Sequence, residues 1–146
     1  MSGIIVGMDG SGHSDRALDW AAREAALRQV PLTVLTIHQP AIAYLGGAVD
    51  DASDEPVTER VLGIARQRAD RVLDSLETAP PQVTIQSVGG SAAQELLRAS
   101  RNADMLVVGS RGAGGFARLL MGSVSAQVAQ HAQCPVVVIP ADSACQ

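Results

Sequence analysis

The sequence predicts an α/β fold: a doubly wound, Rossmann-like five-stranded parallel sheet in the order 3-2-1-4-5, with helices on both faces. Three observations carry that prediction. Short apolar runs alternate with stretches of helical period along the whole chain, and β/α alternation of this kind implies a parallel sheet. The run "DMLVVG" (104–109) is almost continuously apolar, as suits a parallel strand covered on both faces. No internal repeat or composition break divides the chain, so residues 1–146 read as a single domain. Right-handed crossovers then wind the sheet outward in both directions from its first strand.

Each element follows from its own residues. "GIIVGM" (3–8) is an apolar run closed by the turn cluster "DGSG". "HSDRALDWAAREAALRQ" (13–29) places Leu18, Ala21, Ala22, Ala25 and Ala26 at helical spacing, with Ser14 as the expected N-cap. Pro31 stops that helix, and "LTVLTIH" (32–38) reads as a second buried strand. Residues 39–55 mix Pro, Gly and acidic side chains and read as a long loop. "PVTERVLGIARQRADRVLDSLE" (56–77) is a second helix. Its Val57, Val61, Ile64, Ala65, Arg68, Val72 and Leu76 keep the helical period, with one charged interruption. Pro80 and Pro81 break it, "QVTIQSV" (82–88) alternates as a strand, and Gly89-Gly90 turn the chain. Ser91 and Gln94 match a capping box, and "AAQELLRASR" continues as a short helix. After strand 104–109 come a glycine-rich loop, a helix "SVSAQVAQHAQ" (123–133) and a last strand "PVVVIP" (135–140).

Composition narrows the function. Hydrophobic residues make up 47% and charged residues 18% of the chain, a globular balance rather than a disordered one. No apolar run approaches the ~20 residues that span a bilayer, so no membrane partner is expected. The N-terminus, "MSGIIVGMDG", has no basic region ahead of its apolar run, which argues against a signal peptide and for a cytoplasmic location. A net charge of -4, with Trp20, Tyr44 and Phe116 the only aromatics, disfavours nucleic acid, which asks for cations and stacking surfaces. All 11 basic residues are arginine. A phosphate site must therefore draw on arginine, backbone N–H groups, a helix N-terminus or a metal. Cys134 and Cys145 form no disulfide or metal pattern, and Cys134 reads as a small packed hydrophobe. His13, His38 and His131 lack ligand spacing, so no protein-held metal is expected; His38, closing the second strand, lies nearest the expected crevice.

The stretch "VVGSRGAGGFARLLMGSVSAQ" (107–127) carries the chemistry. Glycine lets backbone N–H groups converge closely on an anion. A helix N-terminus adds unsatisfied N–H groups and a positive dipole end. Gly109 and Gly112 offer the first device, Gly122-Ser123 the second. In the order 3-2-1-4-5, strands 1 and 4 flank the reversal of strand order, where such sheets bind ligands. Their C-terminal ends carry "GMDGS" and "GSRGAGG", so both turn-rich segments converge on one crevice. Other phosphate motifs fail: without lysine there is no GxxxxGK[ST] loop, and "GMDGSG" is not GxGxxG. What fits is G-x2-G-x9-G-[ST], from Gly109 and Gly112 to Gly122 and Ser123.

That spacing, together with "IIVGMDGS" near the start and "GSVSAQVAQHAQCPVVVIP" near the end, resembles the ATP-binding branch of the universal stress protein family. The likeness covers nearly the whole chain. It implies an ATP-binding regulatory or stress-response module that forms a homodimer through strand 135–140. It also implies roles for single residues. Gly7 and Asp9 would end the first strand, with Asp9 near the ribose or adenine, and Ile37 would touch the adenine. Gly109, Ser110, Arg111 and Gly112 would line the ribose and phosphate loop. Gly122, Ser123, Val124 and Ser125 would hold phosphates at the helix N-terminus. Arg111 and Arg118 flank the loop, either as partners of phosphate charge or as solvated surface cations. Any Mg²⁺ is expected on the phosphates rather than in a protein cage. No catalytic residue is assigned: Asp9 is the one carboxylate placed in the crevice, and a ribose contact leaves it poorly placed to activate water. The alternatives are a slow ATPase or nucleotidyl-transfer enzyme of the same fold, a cyclic-AMP-binding variant, and a nucleotide-free dimeric interaction protein.

Overall fold

The computed structural model describes residues 3–8, 13–38, 55–110 and 123–140. In chain order they form β1 (Ile4–Met8), α1 (His13–Arg28), β2 (Leu32–His38), α2 (Glu55–Asp74), β3 (Val83–Gly89), α3 (Ala92–Ser100), β4 (Met105–Gly109), α4 (Ser123–His131) and β5 (Val136–Ile139). All neighbouring strands are parallel, and the order is β3-β2-β1-β4-β5, as expected. Most of the loop read at 39–55 lies outside the described residues, although Glu55 already belongs to α2.

Alternation along the strands builds two cores. Ile4, Val6, Met8, Leu32, Val34, Met105 and Val107 pack with Ala17, Leu18, Ala21, Ala22 and Ala25 of α1 and Ala65 and Ala69 of α2. The alanines let these helices lie close on the sheet, because their side chains are single methyl groups. On the other face Leu35, Leu106 and Val108 pack with Leu96 of α3 and Val128 of α4. Helices therefore cover both faces.

The α2 seam differs in detail from its sequence reading. Ile64 is 43% exposed, whereas Ala65 is buried as expected and Ala69, outside the expected seam, is buried with it. Arg68, the charged interruption, has its Nη1 3.4 Å from Asp15 Oδ1, so it ties α2 to α1. The helix stops at Asp74, three residues short of the expected 77. Beyond it, the N–H groups of Ser75 and Leu76 bond to carbonyls three residues back, and the Ser75 hydroxyl donates to the Val72 carbonyl at 2.6 Å. A serine hydroxyl that occupies a helix carbonyl competes with the next regular turn.

Two helix starts also depart from expectation. α1 begins at His13, which puts Ser14 inside its first turn rather than at the cap. Ser91 is the N-cap of α3 with extended φ and ψ, but its side chain makes no capping hydrogen bond, so the capping box does not form. The entry is set by backbone instead: Gly90, at φ +140°, donates its N–H to the His38 carbonyl at 2.9 Å, and Ser91 offers its carbonyl to Glu95 N.

The N-terminal edge of the sheet is closed. Gly3 N donates to Asp104 Oδ2 at 2.8 Å, and Asp104 N returns a bond to the Gly3 carbonyl at 2.9 Å. This reciprocal pair fastens the start of β1 to the start of β4.

Candidate functional site

The opposite edge is open. β1 pairs with β4 over Ile4↔Met105, Ile5↔Leu106 and Val6↔Val107, where the ladder ends. β1 stays paired with β2 as far as Met8↔Thr36, and β4 with β5 as far as Gly109↔Ile139. The sheet thus parts between Gly7-Met8 and Val108-Gly109, at the C-terminal strand ends where the strand order reverses. That is where open α/β sheets take their ligands.

The structure brings the two halves of the glycine motif together. Ser110 follows β4 and is 8% exposed; its N–H donates to the Ile139 carbonyl at 2.8 Å. Its own carbonyl accepts from Ser125 Oγ, on the first turn of α4, at 2.9 Å. The strand-end half and the helix-start half are therefore bonded directly to each other. Ser125 is buried, so its hydroxyl works inside the fold, whereas Ser123 stands exposed at the head of α4. The first turns of α1 and α3 contain Asp15 and Glu95, but the first turn of α4 contains no acidic residue. Its first turn therefore brings no carboxylate of its own to the positive end of the helix dipole, which suits an external anion.

Other candidates sit differently. Gly7 begins the open part of β1, and a Cβ there would lie 2.7 Å from Leu96 Cδ2. Its missing side chain admits α3 to the sheet directly under the crevice. Ile37 and Val124 pack partly buried against the second core. Gly109 is half-buried at the end of β4. Asp9, Arg111, Gly112, Arg118 and Gly122 lie outside the described residues.

The family model of the universal stress proteins matches residues 1–140. The chain belongs to the universal stress protein family. A universal stress protein of Mycolicibacterium smegmatis is 35% identical over 142 residues, covering 96% of this chain and 48% of its own. The chain spans about half the length of the curated relatives it matches. A universal stress protein solved in complex with cAMP is 29% identical, with a TM-score of 0.67 over 94% of each chain. The universal stress protein UspA from Lactobacillus plantarum, 23% identical, repeats the fold with a TM-score of 0.69 over 94% of this chain and 97% of its own.

Several contacts of this universal stress protein are not evident in the sequence motif. Ser125 had one usable signal: it lies three residues before Val128, on the same helical face, and both are buried. Arg16 of α1 donates Nη1 to the Pro140 carbonyl at 2.8 Å, across the chain. At the C-terminal end of β2, Thr36 Oγ1 donates to the Gln86 carbonyl at 3.1 Å, and His38 Nδ1 shares a hydrogen bond with Ser87 Oγ at 3.2 Å. Cys134 packs half-buried beside the second core. Burial pushes its thiol above the ordinary range, and the charge of Asp104 adds to the effect. No helix among the described residues is long and apolar enough to cross a membrane.

Proposed function

We propose that this universal stress protein binds ATP in the crevice between β1 and β4 and acts in the cytoplasm as a nucleotide-dependent regulatory module, not as a dedicated enzyme. The observation that carries this reading is the ladder that opens after Val6↔Val107, with Ser110 and Ser125 bonded beside it. That arrangement sets a glycine-bearing strand end beside a helix whose first turn contains no acidic residue, a combination that suits a polyphosphate. In this reading Asp9 holds the ribose or adenine, and Ile37 lies beside the base. Gly109, Arg111 and Gly112 line the ribose and phosphates, and Gly122 and Ser123 meet the phosphates at the head of α4. Gly7, Ser110, Val124 and Ser125 shape the walls. ATP supplies the charge that such a site recognises, and Mg²⁺ would travel on its phosphates. A homodimer would form along β5, an edge strand of the sheet whose Val136, Val137 and Val138 are half-buried.

Isothermal titration calorimetry tests the reading. The folded wild type is expected to bind one ATP per chain. Gly109→Val and the double variant Asp9→Ala/Gly122→Val are expected to stay folded by circular dichroism and lose that binding. A folded wild type that shows no ATP binding would sink the proposal. The cAMP complex of a 29% identical relative favours a second reading, in which the crevice takes cyclic AMP. A competition titration of ATP against cyclic AMP decides between them.

A further inference from the structure

The N-terminal edge of the sheet, opposite the crevice, carries a second recess. α3 ends at Ser100 and α4 at His131, shortly before β4 and β5 begin. The two helices pack against each other, and an open groove of about 320 Å³ lies at their C-terminal ends. That volume is at the lower end of the ~300–1,000 Å³ of small-molecule sites. Gln94, Leu97, Arg98 and Arg101 form one wall at the i, i+3, i+4, i+7 spacing of a single helix face, and His131 and Gln133 form the other. Ser100, 1% exposed, joins the walls: its hydroxyl donates to the Leu97 carbonyl at 2.7 Å and accepts the Gln133 N–H at 3.1 Å. The groove is thus built on a buried hydrogen-bonded link.

Its charge is opposite in sign to that of the chain, which is -4 overall: the lining holds two arginines and a histidine and, among the described residues, no carboxylate. Glu95, on α3 itself, accepts from Arg98 Nη1 at 3.2 Å and offsets part of that charge. The Arg101 guanidinium has no partner among the described residues. Nor are these cations needed to cap α3. Its last four carbonyls are already met, Leu97 by the Ser100 hydroxyl, and Arg98, Ala99 and Ser100 by the N–H groups of Arg101, Asn102 and Ala103. We infer that the groove is a second ligand site, which takes the oxyanion head, carboxylate or phosphate, of a small molecule, with Arg101 as its main contact. Guanidinium groups bind such heads in a bidentate fashion. The Gln94 and Gln133 amides offer neutral donors beside them, and Leu97 offers an apolar contact to the body of the ligand. The site is separate from the nucleotide crevice and does not depend on it.

Residue-resolved NMR of the whole ¹⁵N-labelled chain tests this, with inorganic phosphate and succinate titrated separately at constant ionic strength and sodium chloride as the control. At least one probe is expected to give saturable shifts of the amides at 97–102 and 131–133. Saturation by phosphate alone assigns a phosphate ester to the groove, and saturation by succinate alone a carboxylate. Arg101→Gln, an exposed substitution that leaves the fold intact, is expected to weaken binding about tenfold through the lost charged hydrogen bonds. Arg98→Gln/Arg101→Gln should abolish it. Three results overturn the inference: shifts at these residues that match those of chloride, an unchanged affinity in the double variant, or phosphate shifts confined to Ser110 and residues 123–125. The last of these would place the anion in the crevice and leave the nucleotide reading standing.

Discussion

At Gly3 a methyl group would lie 2.2 Å from the Pro31 carbonyl oxygen, and φ is +83°. Neither the backbone oxygen nor the left-handed φ can yield cheaply. Gly3→Ala is expected to cost about 2–3 kcal/mol, read as a lower urea midpoint with an unchanged slope. At Gly7 the obstacle is a side chain, Leu96 Cδ2 at 2.7 Å. Gly7→Ala should cost about 1–3 kcal/mol by overpacking, and Leu96→Ala about 2–5 kcal/mol by the cavity it leaves. The double variant should lose less than the two single losses together, because the new methyl enters the vacated space. Strict additivity would show that Gly7 is not a packing position. The sequence motif gives Gly7 a ligand-side meaning only, because its packing partner sits on a helix far along the chain. Cys134 illustrates pH dependence at the same scale. Burial and then Asp104 raise its folded pKa above the unfolded value. The folded state therefore favours the protonated thiol, and this contribution is full below the unfolded pKa and is lost as pH rises through the folded one. Iodoacetamide labelling of Cys134 should be slower in the folded chain than in urea at neutral pH. The folded rate should catch up only at clearly alkaline pH; equal rates at neutral pH would contradict the shift.

The helices show where periodicity stops being informative. It places the alanine seam of α1 correctly at Leu18, Ala21, Ala22 and Ala25, since small apolar residues at helical spacing have one obvious use. It overextends α2, where the backbone bonds of Ser75 and Leu76 tighten to carbonyls three residues back and the Ser75 hydroxyl bonds to Val72. It also credits Ser91 with a capping box, although the turn at Gly90 already fixes the helix entry through the His38 carbonyl. In α4 the motif marks both serines of "GSVS" as phosphate ligands, and the structure gives them different surroundings. Ser125 is buried and bonded to the Ser110 carbonyl, while Ser123 is exposed. Ser125→Ala is therefore expected to destabilise the fold by about 1–2 kcal/mol through the lost buried hydrogen bond. Ser123→Ala should stay within about 0.5 kcal/mol in the absence of ligand, as an exposed substitution. Chemical denaturation of the two variants side by side checks the difference. Equal losses would mean that the link between β4 and α4 does not stabilise the protein.

At the scale of the whole molecule, the strand order was readable because β/α alternation with right-handed crossovers leaves few arrangements of five parallel strands. The crevice follows from that order, and the structure adds the point at which it opens, Val6↔Val107. What alternation cannot supply is the bond from Ser125 of α4 to the Ser110 carbonyl or from Arg16 of α1 to the Pro140 carbonyl, since these bonds join residues that no local pattern relates. A ligand seated in the crevice should stabilise the folded state against the unfolded one. ATP at about 100 times its Kd should add about 2.7 kcal/mol to the unfolding free energy. For a domain of this size that is a rise in Tm on the order of 5–10 °C, measurable by calorimetry or Trp20 fluorescence. Gly109→Val should abolish the rise. Cyclic AMP has a single phosphate to offer the head of α4. Its rise at the same absolute concentration should therefore be smaller than that of ATP. Equal rises would place recognition in the base and ribose alone, and "GSVS" would then need a role other than holding the phosphate chain.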